Sequence, residues 1–106
     1  MTEIEILIPA SAKLALVPRL VERAAATENL TLALKGTLAK YPGCVHWHYK
    51  RGKEPGTLEI TWYPRERRLW FKIAHNRNKA WIEEVGPRLK RLIESQTRSV
   101  SKTLRV

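Results

Sequence analysis

Between residues 45 and 74 apolar and polar side chains alternate three times over, and this constrains the fold more than any other feature of the chain. Val45, Trp47 and Tyr49 alternate with His46, His48 and Lys50. Leu58, Ile60 and Trp62 alternate with Thr57, Glu59, Thr61 and Tyr63. Leu69, Phe71 and Ile73 alternate with Arg68, Trp70, Lys72 and Ala74. A period of two is that of a strand with one buried face and one wet face. Gly52, Pro55 and Gly56 mark the first turn, and residues 64–67 the second. The apolar residues must share a face while the turns close, so Val45 should face Trp62, and Glu59 should face Lys72. A slip of one residue would set a core side chain opposite a polar one. The wet face then carries His48, Glu59 and Lys72 in one row and His46, Thr61 and Trp70 in the next. Opposite charges across strands support that pairing.

The flanks supply the covering layer. Residues 3–8 alternate with Ile4, Ile6 and Ile8 on one side, the pattern of an edge strand that Pro9 ends. A helical region is expected over residues 11–41, broken at Pro18. Leu20, Val21, Ala24 and Ala25 form its first stripe. Thr27 would cap a second segment bearing Leu30, Leu34, Leu38 and Tyr41, which Pro42 and Gly43 would end. A last helix is expected over residues 78–95, its apolar face made by Trp81, Ile82, Val85, Leu89, Leu92 and Ile93, with a kink at Gly86-Pro87. The expected fold is α+β in two layers: a three-stranded antiparallel meander with helices on its apolar face, and the N-terminal strand as a candidate fourth at an edge. Residues 1–95 form one domain in this reading, and residues 96–106 a basic, flexible tail.

A chain of 106 residues has room for one modest core, and 43% hydrophobic residues is too many for a disordered polybasic tail. It contains no run of about 18 apolar residues, so no membrane span is expected. Its first residues are acidic where a signal peptide would be basic. The single cysteine, Cys44, allows no internal disulfide and suits a reducing compartment, so a cytoplasmic location is expected. Aspartate is absent, which removes half of the usual carboxylate repertoire.

Charge is distributed unevenly. Residues 1–34 carry three cations against four glutamates, whereas residues 35–106 carry 17 against six. A field of that size favours polyanions. The expected function is a small non-catalytic domain that binds nucleic acid, RNA or DNA, through its backbone phosphates. The junction at Arg77 and Lys79 is the first candidate contact, because a helix N-terminus presents free N–H groups there. Arg65, Arg67 and Arg68 in the second turn, and Arg88, Lys90 and Arg91 on the last helix, follow. Trp70 on the polar sheet face is the candidate stacking residue. The alternative is a protein-interaction module that binds an acidic partner or pairs with itself as a homodimer, using the N-terminal strand and Trp70.

Catalytic residues, metal ligands and cofactors are not expected. Cys44, His46 and His48 point the same way on one strand, but three ligands in a line splay apart, and His75, a possible fourth, falls on the other face or past the strand end. His48 opposite Glu59 reads as a cross-strand charge pair, since acid/base chemistry would need a pocket and a third group. The order helix, strand, strand, strand, helix resembles the double-stranded RNA-binding domain in topology alone. Asn76-Arg77-Asn78-Lys79-Ala80 stands where that family has a lysine-rich signature and does not match it.

Overall fold

The computed structural model describes residues 2–73 and 80–103. Along the chain run β1 (Thr2–Ile6), α1 (Val17–Thr27), β2 (Thr31–Leu38), β3 (Tyr41–Lys50), β4 (Leu58–Tyr63), β5 (Arg68–Ile73) and α2 (Ala80–Thr103). Short 3-10 turns lie at Leu14–Leu16 and Pro64–Glu66. The strands form one open antiparallel sheet in the order β1-β5-β4-β3-β2. The class is α+β, with five strands in place of the three expected. Val45 faces Trp62 and Tyr49 faces Leu58, while Glu59 faces Lys72 and Tyr63 faces Arg68. These are the registers the alternation requires. β1 joins at the β5 edge, with Ile4 opposite Phe71 and Ile6 opposite Leu69.

The largest departure is β2, read from the sequence as a second helix. Leu30, Leu34 and Leu38 recur every four residues, a spacing that satisfies a helical stripe and a strand face equally. Thr31 and Thr37 favour the extended form, and Gly36 weakens a helix. Thr27 does not cap anything: it is the last residue of α1, and its hydroxyl donates to the Arg23 carbonyl at 3.0 Å. Asn29, at φ 60°, takes the left-handed turn that ends the helix. The Pro42-Gly43 pair lies inside β3, where Gly43 at φ +82° supplies a backbone conformation that L side chains rarely adopt. The helix–strand–strand–strand–helix order is thus replaced by four consecutive strands between the helices, preceded by β1.

Pro18 starts α1 instead of breaking it, since the first turn of a helix has no use for the missing N–H. α2 continues to Thr103, through the first part of the expected tail, with Pro87 inside it. Thr97 is buried, and its hydroxyl donates to the Ile93 carbonyl at 2.9 Å.

Both helices cover the same sheet face. Val17, Val21, Ala24 and Ala25 of α1, and Trp81, Ile82, Val85, Leu89 and Ile93 of α2, share one core with Trp47, Tyr49, Leu58, Ile60, Trp62, Leu69, Phe71 and Ile73. Two indoles in this core keep their N–H groups bonded. Trp47 Nε1 donates to Glu22 Oε2, and Trp81 Nε1 to the Pro55 carbonyl, each at 2.9 Å. Burial first, then the charge of Glu22, pushes the Tyr49 phenol up to about 12, so it stays protonated in the core. Among the described residues no helix is long and apolar enough to cross a membrane.

Candidate functional site

With the helices on one face, the other face of the sheet is left to the polar side chains of the alternation. It has two zones. Toward the β2–β3 and β4–β5 turns lies a second apolar cluster of Cys44, Tyr63 and Trp70, with Leu38 and Tyr41 packed against it. Tyr41 meets both Tyr63 and Trp70 edge-on, at centroid distances of 5.3 and 5.1 Å. The Arg68 guanidinium lies 4.4 Å over the Trp70 ring. Trp70 is therefore only 3% exposed. The expectation of an open stacking platform is corrected: its indole is enclosed by Tyr41 and Arg68. Cys44 is buried in the same cluster, where its sulfur accepts the Leu38 N–H at 3.2 Å.

The second zone is the histidine row. His46 and His48 project side by side from β3, and Glu59 reaches them from β4. His46 Nε2 and His48 Nε2 are 3.0 Å apart. Glu59 Oε1 lies 3.4 Å from the first and 3.6 Å from the second. On its far side His46 Nδ1 meets Thr61 Oγ1 at 2.8 Å. His46 is buried, His48 and Glu59 partly so. Burial, then the neighbouring His48, holds His46 below the ordinary imidazole range; Glu59 pulls the other way and Lys72 adds to the lowering. Two imidazoles and a carboxylate that converge across strands are the residues of this face able to hold a metal ion. The linear set of Cys44, His46 and His48 weighed from the sequence does not form. The pairing of His48 with Glu59 was legible in the register, and His46 joins them because i and i+2 share a face.

The candidate phosphate contacts fall into three groups. Arg77 and Lys79 lie outside the described residues. Four others are engaged within the fold. Arg67, at φ 53°, donates to the Pro9 and Ala12 carbonyls at 2.6 and 3.2 Å, clasping the segment after β1. Arg68 pairs with Glu5. Arg88 bonds Glu28 at 2.7 Å and Glu84 at 3.2 Å. Lys90 donates to the Glu5 carbonyl at 3.1 Å and pairs with Glu94 at 3.4 Å. Arg65 in the β4–β5 turn and Arg91 on α2 are exposed, with no carboxylate partner among the described residues. Arg98, exposed on α2, and Lys13 share that condition.

These four cations lie on elements that internal contacts hold together, while Arg19, Arg23, Lys40 and Lys53 are likewise exposed without a carboxylate partner among the described residues. The Arg67 clasp ties the β4–β5 turn to residues 9–12. The Leu7 N–H donates to Glu94 Oε2 at 2.8 Å, and Lys90 reaches the Glu5 carbonyl, which sets the second half of α2 against the end of β1. Lys13, Arg65, Arg91 and Arg98 thus belong to elements that meet at one end of the molecule. No protein-family model, curated protein or solved structure matches the chain. What it can do therefore has to be read from its own side chains.

Proposed function

We propose that this chain is a small α+β domain that binds nucleic acid through backbone phosphates, at the end of the molecule where the β4–β5 turn, residues 9–13 and the second half of α2 meet. The reading is carried by the charge left over after internal pairing. Twenty Lys and Arg side chains face ten glutamates, so half of the cations cannot be matched one to one. A surplus that large repels itself and is a cost to folding unless an external anion answers it. Arg65, Arg91, Arg98 and Lys13 are the contacts this reading favours at that end; Arg77 and Lys79, outside the described residues, are kept as separate proposed contacts. Arg67, Arg68, Arg88 and Lys90 shape the surface while holding the fold together.

Phosphate contacts release counterions, so affinity should fall steeply as salt rises. The triple variant Arg65→Ala, Arg91→Ala, Arg98→Ala should bind more weakly for every sequence. Its log–log salt slope should be shallower by roughly 2–3, close to one per lost contact. Fluorescence anisotropy with RNA, single-stranded DNA and duplex DNA at two salt concentrations reads both effects. Absence of binding to all three at low ionic strength would end the proposal.

One observation favours a second reading, self-association. β2 is an edge strand, and its Leu32 and Leu34 are 46% and 52% exposed. An exposed apolar edge is a template for another strand. In that case Leu34→Lys should shift sedimentation toward the monomer. A wild-type chain that already sediments as a monomer at high concentration would remove this reading.

A further inference from the structure

The histidine row has the dimensions of a metal site. Three donor atoms separated by 3.0, 3.4 and 3.6 Å define a triangle fit for one ion. Atoms at those separations lie on a circle of radius about 1.9 Å, so an ion roughly 0.7 Å off their plane is about 2.0 Å from each, the usual zinc–nitrogen and zinc–oxygen bond length. The donors come from two adjacent strands in a fixed register, and strands of a sheet are rigid supports for ligands. The outer partner is also in place. Thr61 Oγ1 accepts from or donates to His46 Nδ1 at 2.8 Å; when it accepts, the ring proton is held on Nδ1 and Nε2 is free for a metal. Because His48 and Glu59 are only partly covered, the site can be reached from solvent.

We propose that His46 Nε2, His48 Nε2 and Glu59 Oε1 bind a divalent transition-metal ion, with zinc the favoured occupant. Imidazole and carboxylate donors suit zinc, and three of them leave the fourth tetrahedral position to water or an outside ligand. Three protein ligands with one open position is the pattern of a site that takes water or an outside ligand, whereas structural zinc sites are closed by four side chains. The proposal is independent of nucleic-acid binding, since none of these three residues is a proposed phosphate contact.

The test is titration of the untagged chain with zinc chloride in competition with a chromogenic chelator, and with cobalt chloride followed by visible absorption. One ion per chain is expected, and cobalt should give the intense visible bands of four-coordinate nitrogen and oxygen ligation. Thr61→Val should lower zinc affinity by about 10–100-fold, the usual effect of losing an outer-shell partner. His48→Ala and Glu59→Gln, both at partly exposed positions, should lower it further. A wild-type measurement guards against variants that fail to fold: zinc should shift the imidazole nitrogen resonances of two of the three histidines. No uptake of either ion by the wild type overturns the proposal. So does uptake that leaves those resonances unmoved, or that folded His48→Ala and Glu59→Gln retain at wild-type affinity.

Discussion

Replacing Trp70 with alanine is expected to cost about 3 kcal/mol or more of folding stability, the loss typical of a large aromatic removed from a packed site. The size of the effect is the point, because Trp70 lies on the sheet face opposite the helices. An indole lying open on such a face would cost well under that when truncated, as surface substitutions do. Here the ring is enclosed by Tyr41 at its edge and Arg68 over its face, beside Cys44 and Tyr63. The alanine variant would open a cavity there and also strip the Arg68 guanidinium of its aromatic support, worth about 0.5–1 kcal/mol. Urea denaturation followed by circular dichroism measures the sum. A loss below about 1 kcal/mol would show that the outer cluster is not packed.

Glu22→Ala should cost about 1–3 kcal/mol, because it removes the acceptor of the indole N–H of Trp47, a side chain that is itself fully buried. The ion pair of Glu22 with Lys35, at 2.6 Å between half-exposed side chains, adds little to that figure. The same contacts give the effect a pH dependence. The hydrogen bond from Lys35 first, then that from Trp47, holds the Glu22 carboxyl below its ordinary range against the opposing effect of burial. A carboxyl lowered in the folded state contributes stability that is present above pH 4.5 and is lost as pH falls through the lowered folded value. The stability difference between wild type and Glu22→Gln should therefore narrow between pH 7 and pH 3. A difference that stays constant over that span would mean Glu22 is not ionised in this contact.

The parts of the fold that were legible in the sequence are those where period two had no competitor. β3, β4 and β5 read directly, down to which residues face each other, because a slip would have exposed Trp47, Ile60 and Phe71 together. β2 did not, since leucines four apart fit both periodicities and nothing local outweighs a helical reading before the sheet exists. That error had a consequence on the far face. With residues 30–41 assigned to a helix, Leu38 and Tyr41 were not available to cover Trp70, so any cover had to come from the N-terminal segment, the tail or a second subunit, and the indole stayed a candidate stacking residue. The metal-ligand geometry failed for a related reason. Cys44, His46 and His48 diverge along one strand, and the third donor, Glu59, stands opposite His48 on the neighbouring strand. Register supplies which residues meet, while the convergence of three donor atoms depends on side-chain rotamers that no linear pattern encodes.

The pairing of β1 with β5 sets a timetable for the nascent chain. Thr2 and Ile73 are partners, as are Ile6 and Leu69, so β1 completes its ladder only once β5 has been made. At ribosomal speeds that interval is roughly 3–14 s. During it β2, β3 and β4 can pair hairpin by hairpin, while β1 waits outside the sheet. Closing so long a loop is entropically slow, and the Arg67 clasp on Pro9 and Ala12 is the latch that can engage once β1 arrives.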